Sequence, residues 1–565
     1  MVEDLPTGYY LDNFRYFLTF VQRHYADVLN DSEQSFCADF GNLARDAQRL
    51  YVRLISRKGP YFRHDKLSYD EIANLDRALT QLVESGFVAR NHICDAAPWL
   101  SLATRLELVA HFEISNRTER KNALSTEVAE SYTVTEIQNG LPFDLLEPAH
   151  TETLSVFQLL FFGNLYQDLT EFVLRDLGIS PYEKYALDGR YFSQRQLVDD
   201  MLHAYQLQSM AYEVMASTEA CLAEFAESFL LDLDMSIDPH LSHRHSKILN
   251  RVARQLERES AKTLAMALYE KSEITPARER RSRLLVDDGQ PALAIRLCET
   301  ICEAPLSEAE YEFALGFAPR IVKKYQLPPA QVPSKLKDTF TVETICIPYV
   351  EYQRVEQTAA HWIANDGREV RHMVGNEAPH IAPHIAPYIV RYVENGLLPG
   401  LFGLYFWDII FTPLPGVFFN PFQRGPADLF SEQFFVARRA MIEQRLAELD
   451  DHVATEQKIQ KIFIDKFGIA NHFVMWRILD RKLISLALER IPADQLRAVF
   501  QRMLRDLKTN RSGFPDLVVF PADAGYELVE IKGPGDTLQQ NQKRWLRFFE
   551  QQGMSVRVIN VTWQA

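Results

Sequence analysis

The sequence predicts a multidomain, mostly helical chain that ends in an α/β domain, and three observations carry that prediction. At roughly 100 to 200 residues per domain, 565 residues allow three or four separate cores. Helical periodicity dominates up to about residue 325, whereas alternating strand-like runs follow residue 335: TFTVETICIPYV, then LVVF, YELVEIK and SVRVINVTW. A composition of 47% apolar and 24% charged residues is that of globular proteins and excludes collagen-like, low-complexity and disordered chains. These shifts divide the chain at 1–95, 96–250, 251–335 and 336–565.

In the first part, DNFRYFLTFVQRHYADVL, ARDAQRLYVRLISRK and LSYDEIANLDRALTQLVESGF read as helices, with Ser68 as N-cap and Gly86 as stop for the last. Two helices and a short apolar exit resemble a winged-helix unit. The intervening loop RKGPYFRHDK places Arg57, Lys58 and Arg63 among Tyr61 and Phe62, a mixture suited to phosphate contact with base packing or to a solvated loop. WLSLATRLELVAHFEISNRTERKNALSTEVA reads as two short helices around a polar turn, like a SAP-type hairpin. The all-helical stretch from 150 to 250 closes on a basic run containing His243, Arg244, His245, Lys247, Arg251 and Arg254. Ala261 to Tyr325 reads as helix pairs resembling tetratricopeptide units, with Pro276 and Pro291 in first turns and Arg278, Arg280, Arg281 and Arg283 clustered.

Net charge is 61 − 76 = −15, so a nucleic-acid partner must be met by these local basic surfaces rather than by a global field. The six cysteines form no CxxC pair; Cys298 and Cys302, one turn apart, read as buried helix residues, and no structural zinc is expected. The acidic N-terminus lacks the pattern of a signal peptide. LLPGLFGLYFWDIIFTPLPGVFF contains three prolines and Asp408, which predicts a buried core helix rather than a membrane span. APHIAPHIAPY spaces histidines by four, yet its prolines forbid a helix and with it an HxxxH metal site.

The chemistry concentrates near the C-terminus, in SGFPDLVVF, a short turn, and YELVEIKGPGD. Side chains alternate along a strand, so Glu530 and Lys532 share one face while Ile531 points inward. Asp516, at the start of the neighbouring strand, reaches the same edge. Two converging carboxylates stay ionised together when a hard divalent cation binds both. A surface hairpin with an i, i+2 ion pair is the plain alternative, but the helix TLQQNQKRWLRFFEQQG and the strand SVRVINVTW complete a ββαβ core.

PD followed by ExK in this context resembles the PD-(D/E)xK nuclease superfamily. PDLVVF, LVEIKGPGD and QNQKRWL resemble a VRR-NUC domain, and FGLYFWDIIF with NPFQRGPADLFSEQFF is similar to the Fanconi-associated nuclease family, in the form without a ubiquitin-binding zinc finger. The resemblance implies a winged-helix and SAP-like DNA-binding part, a tetratricopeptide-like helical part and a C-terminal nuclease. It also implies an acid upstream of the apolar helix, Glu394, with Glu377 as rival. Mg²⁺ or Mn²⁺ is then expected on Asp516, Glu530, the Ile531 carbonyl and Glu394, with Lys532 orienting the attacking water. Asp408 and Gln542 are expected to support the site, and Arg57, Lys58, Arg63, Lys247, Arg251, Arg254, Arg280 and Arg281 to meet DNA. The implied activity is cleavage of branched or flapped duplex DNA at 5′ flaps with 5′-to-3′ progression, in interstrand crosslink repair. The expected place is the cytoplasm, at the nucleoid in a prokaryote, or the nucleus in a eukaryote. A junction resolvase on the same core, or a scaffold with a vestigial site, are the alternatives.

Overall fold

The computed structural model describes residues 7–92, 95–172, 181–187, 189–218, 220–335, 337–365 and 388–564. Glu377, Cys94 and the histidine–proline repeat up to residue 387 lie outside them. The chain divides into two compact units, one of Met1–Pro181, Leu187–Leu202 and Phe419–Phe422, the other of Tyr182–Ala186, His203–Phe418 and Gln423–Ala565.

The first unit opens with helices Tyr9–Tyr25, Asp31–Asn42, Arg45–Ile55 and Leu75–Glu84. Their apolar faces meet in an aromatic core in which Phe36, Phe40, Tyr51 and Phe87 are all buried and lie ring to ring. Asp31–Asn42 escapes the periodicity reading because its apolar stripe is thin; an Asn30–Glu33 capping box starts it. The helix expected from Ser68 starts later, because the Asn74 side chain accepts from the Arg77 N–H at 2.9 Å and so fixes the first turn at Leu75. Strands β1 (Phe62–Arg63), β2 (Val88–Arg90) and β3 (Leu145–Pro148) form a small antiparallel sheet in the order β1-β3-β2. This is the wing that the apolar exit anticipates. Four short helices, from Ala96–Leu102 to Val134–Gly140, then enclose a core around Trp99, Leu108, Leu124 and Ile137.

In the second unit, helices Pro239–Arg258, Lys262–Lys271, Ala277–Asp287, Pro291–Glu303 and Glu308–Tyr325 each pack on the next. Pro291 occupies the first turn of its helix, whereas Pro276 stands one position before the first turn of Ala277–Asp287, at its N-cap position without a side-chain capping bond. Cys298 is buried and Cys302 half-buried within this stack. The C-terminal sheet contains β4 (Thr341–Ile347), β5 (Ile389–Tyr392), β6 (Leu517–Phe520), β7 (Glu527–Lys532) and β8 (Val556–Trp563), ordered β4-β8-β7-β6-β5. β5, β6 and β7 run antiparallel in succession, while β8 lies parallel to β7 after the crossover helix Gln540–Gln551. Helix Val355–Asn365 packs on β5 and β7, and its Ala359 and Ile363 join Val519, Val529 and Ile559 in the core. Of the apolar run, only Leu397–Tyr405, buried throughout, and the short helix Trp407–Ile410 are helical, and residues 411–419, with Pro413 and Pro415, are not. Among the described residues no helix is long and apolar enough to cross a membrane.

Candidate active site

Strand direction assembles the site. β6 is antiparallel to both neighbours, so the end of β5, the start of β6 and the end of β7 share one sheet edge. Asp516 precedes β6 there, Glu394 follows β5, and Glu530 and Lys532 lie on the last turn of the pleat in β7. The register pairs Leu517 with Val529 and with Tyr392, which sets Asp516 opposite Glu530 on one side and Val393 on the other. The Val393 N–H donates to the Asp516 carbonyl at 2.8 Å.

Asp516 is buried and its Oδ2 accepts from the Ile531 N–H at 2.8 Å. Glu530 is 1% exposed. Its Oε1 accepts from Gln542 Nε2 at 2.6 Å and lies 2.9 Å from Lys532 Nζ. Its Oε2 is buried with no hydrogen-bond partner, a costly position for a carboxylate oxygen. Burial, with Glu356 and Glu394 nearby, pushes the Asp516 carboxyl up to about 7. Burial and the Asp516 charge push Glu530 up to about 8, against the opposing pull of Lys532. Both acids are thus held above the ordinary carboxylate range by a low-dielectric, like-charge setting.

Glu394 is exposed and accepts from the Tyr392 hydroxyl, which burial and Glu394 together keep protonated. Among the described residues no three His, Cys, Asp or Glu side chains are gathered into a ready-made metal cage. What the edge offers is two buried carboxylates, one with an unpartnered oxygen, beside a lysine. That donor set fits a hard divalent cation, which takes oxygen ligands and relieves exactly this kind of charge repulsion.

Glu356 is the acid that sequence reading missed. It sits half-buried in the first turn of helix Val355–Asn365 and raises the proton affinity of Asp516 and Tyr392. The signal available was its place at a helix start following a strand. Gln542, in the first turn of the crossover helix, donates to Glu530 Oε1 at 2.6 Å. Asp408, read from the sequence as a carboxylate within the buried apolar helix that supports the site, is exposed and forms a two-pronged ion pair with the buried guanidinium of Arg445, both contacts at 2.8 Å.

The basic residues divide in two. Arg63 is buried and bonded to Asp65 and Glu107, Arg254 and Arg280 both pair with Glu257, and Arg281 pairs with Glu270 at 2.5 Å. Arg57 donates to the Tyr69 hydroxyl at 3.1 Å, Lys58 and Lys247 are exposed, and Arg251 is exposed over the Tyr212 ring.

Residues 452–563 match the VRR-NUC domain model, and residues 8–89 the FAN1 HTH domain model. A Fanconi-associated nuclease 1 homolog from Pseudomonas aeruginosa is 35% identical over 98% of this chain and 96% of its own length. The chain belongs to the Fanconi-associated nuclease family. It is therefore a nuclease, a hydrolase. Within the family it is 27% identical to the homolog from Oryza sativa, covering 98% of this chain and 62% of that protein. A crystal structure of paFAN1 bound to 2-nucleotide 5′-flap DNA with a gap superposes with a TM-score of 0.87 at 33% identity, covering 100% of both chains.

Proposed function

We propose that this Fanconi-associated nuclease is a structure-selective, divalent-metal-dependent DNA nuclease that cuts phosphodiesters at 5′ flaps, progresses 5′ to 3′, and serves interstrand crosslink repair at the nucleoid or in the nucleus. The observation that carries the reading is the unpartnered, buried Glu530 Oε2 beside Asp516 and Lys532. The family relation and the 5′-flap DNA bound to paFAN1 support the substrate class.

Asp516, Glu530 and the Ile531 carbonyl would hold Mg²⁺ or Mn²⁺, with Glu394 joining them after releasing the Tyr392 hydroxyl. When bound, such an ion lowers the pKa of a ligated water and neutralises charge on the phosphate. The remaining work belongs to the chain. Gln542 fixes the Glu530 carboxylate by donating to Oε1, which leaves Oε2 directed for ligation. The Ile531 N–H does the same for Asp516 through Oδ2. Lys532, its ammonium at the Glu530 carboxylate, orients the attacking water and balances negative charge developing on the phosphorane oxygens. Glu356 adds a further acid beside Asp516 and strengthens the demand for a cation. The parts at 1–95 and 96–250 supply the grip on the duplex, 251–335 the helical support, and 336–565 the cutting domain.

Cleavage of end-labelled 5′-flap, 3′-flap and four-way-junction substrates, with Mn²⁺ or EDTA, tests this. Metal-dependent cutting of the 5′ flap by wild type and none by Asp516→Ala is the expected result. Cutting of the four-way junction alone points to a resolvase, and binding without cutting to a scaffold.

A further inference from the structure

The residue after Glu394 is held in a conformation that few side chains accept. Asn395 has φ 49°, the left-handed region in which asparagine is among the few tolerated non-glycine residues. Its Oδ1 accepts two backbone hydrogen bonds from the segment leading to Asp516, from the Gly513 N–H at 2.8 Å and the Phe514 N–H at 3.1 Å. The main chain of β5 is leaving the sheet at this point: Val393 still bonds the Asp516 carbonyl, and Gly396 N–H already turns back to Val393 at 2.7 Å. Pro515, which has no N–H, interrupts the ladder from the other side. The Asn395 side chain supplies the acceptor that the departing strand no longer supplies, extending the β5–β6 pairing by one rung made from a side chain. Gly513 is held against the crossover helix as well, since with φ 95° a Cβ there would stand 3.0 Å from the Asn541 backbone. The segment from 513 to 516 is therefore gripped from two sides. The same Asn395 amide reaches Glu394, with Nδ2 at 3.4 Å from Oε1.

We propose that Asn395 is a positioning residue that fixes the spacing between Glu394 and Asp516 and thereby sets the divalent-cation affinity of the sheet edge. The inference rests on the reading of those carboxylates as metal ligands. Its left-handed backbone and its acceptor are separable. Asn395→Gly keeps the backbone conformation without strain and removes the acceptor; Asn395→Asp keeps the acceptor and tolerates the conformation; Asn395→Ala loses both.

The test combines Mn²⁺ binding by calorimetry without DNA, hydrogen exchange of the peptide spanning Gly513 and Phe514 in EDTA, and 5′-flap cleavage against Mn²⁺ concentration. Asn395→Gly is expected to weaken Mn²⁺ binding about 10- to 100-fold, to speed exchange at 513–514, and to raise the Mn²⁺ needed for half-maximal cleavage. Asn395→Asp keeps the acceptor for Gly513 and Phe514 but replaces the donor to Glu394 with a carboxylate, so exchange at 513–514 is its readout: slow exchange is expected, and fast exchange overturns the brace. Wild-type Mn²⁺ affinity or unchanged exchange in Asn395→Gly overturns the proposal. Asp516→Ala is the control: if it binds Mn²⁺ like wild type, the ligand assignment itself falls, whereas a loss there with normal binding in Asn395→Gly rejects only the brace. Should Asn395→Ala fail to fold, the glycine and aspartate variants still decide.

Discussion

Two glutamates of the C-terminal unit are buried to the same degree, Glu310 at 0% and Glu530 at 1% exposure, and nothing in burial distinguishes them. Their oxygens do. Glu310 Oε1 accepts from Arg278 Nε at 2.9 Å, and Oε2 from Arg278 Nη2 at 2.5 Å and the Leu306 N–H at 2.8 Å. Glu530 shares Oε1 between Gln542 and Lys532 and leaves Oε2 unpartnered, while the Asp516 charge acts on the same carboxyl group. A structural acid is compensated on both oxygens; the acid at the sheet edge is kept under-compensated. The position of a charge in the fold matters less here than whether its surroundings finish the job.

Replacing each acid tests that contrast most severely. Glu530→Ala is expected to lower 5′-flap cleavage by at least about a hundredfold, because a group acting on the transition state is lost, while duplex binding persists and stability in EDTA holds or rises. Glu310→Ala should do the reverse: it strands Arg278 and lowers unfolding free energy by about 3 kcal/mol, with the rate per folded molecule unchanged. Cleavage rates beside urea midpoints read both. An active Glu530→Ala protein would erase the distinction. Lys532→Ala should fall close behind, by about 100-fold or more with metal saturating.

pH sharpens the same comparison. Asp516 and Glu530 carry raised affinities, about 7 and about 8, so the folded state resists their ionisation. In EDTA, stability contributed by their protonated forms is complete below the ordinary carboxylate range and declines as pH rises toward 8, by at most about 1.4 kcal/mol per pH unit for each proton. Asp516→Asn with Glu530→Gln should flatten that decline. Glu107 behaves oppositely: the Arg63 guanidinium holds it down at about 2, so its contribution stands above the ordinary range and is lost as pH falls through 2. Urea midpoints from pH 3 to 8 follow both slopes. A metal-free wild type whose stability does not fall toward pH 8 contradicts the strained reading of the edge.

What the sequence exposes and what it hides follow chain distance. Asp516, Glu530 and Lys532 are legible because one hairpin carries them and strand alternation alone decides their faces. The order of the helical parts is legible from periodicity and caps. Glu356 is not, since it reaches the edge only through packing of its helix on β5 and β7. Asn395 is not, because a left-handed asparagine acting as a strand rung leaves no pattern. Ser68 misleads, as both Ser68 and Asn74 are N-cap types and only the packed helix shows which one caps it. The arginines at 254, 280 and 281 read as a basic face because a one-dimensional run does not show that Glu257 and Glu270 stand opposite them.

That last point gives the smallest effect. A cation already neutralised by a carboxylate must break its ion pair before it meets a phosphate, whereas an exposed one releases a counterion from DNA directly. Lys58→Ala should therefore lower the slope of log affinity against log salt by about one on a 5′-flap duplex, with little change in unfolding midpoint. Arg281→Ala, which leaves Glu270 largely exposed at 65%, should shift the slope far less, and the exposed partner limits its stability cost to under about 1 kcal/mol. Fluorescence anisotropy across a salt series measures both slopes. Equal slopes for the two variants would mean that the Arg281–Glu270 pair opens on DNA, and that the helical part touches phosphate after all.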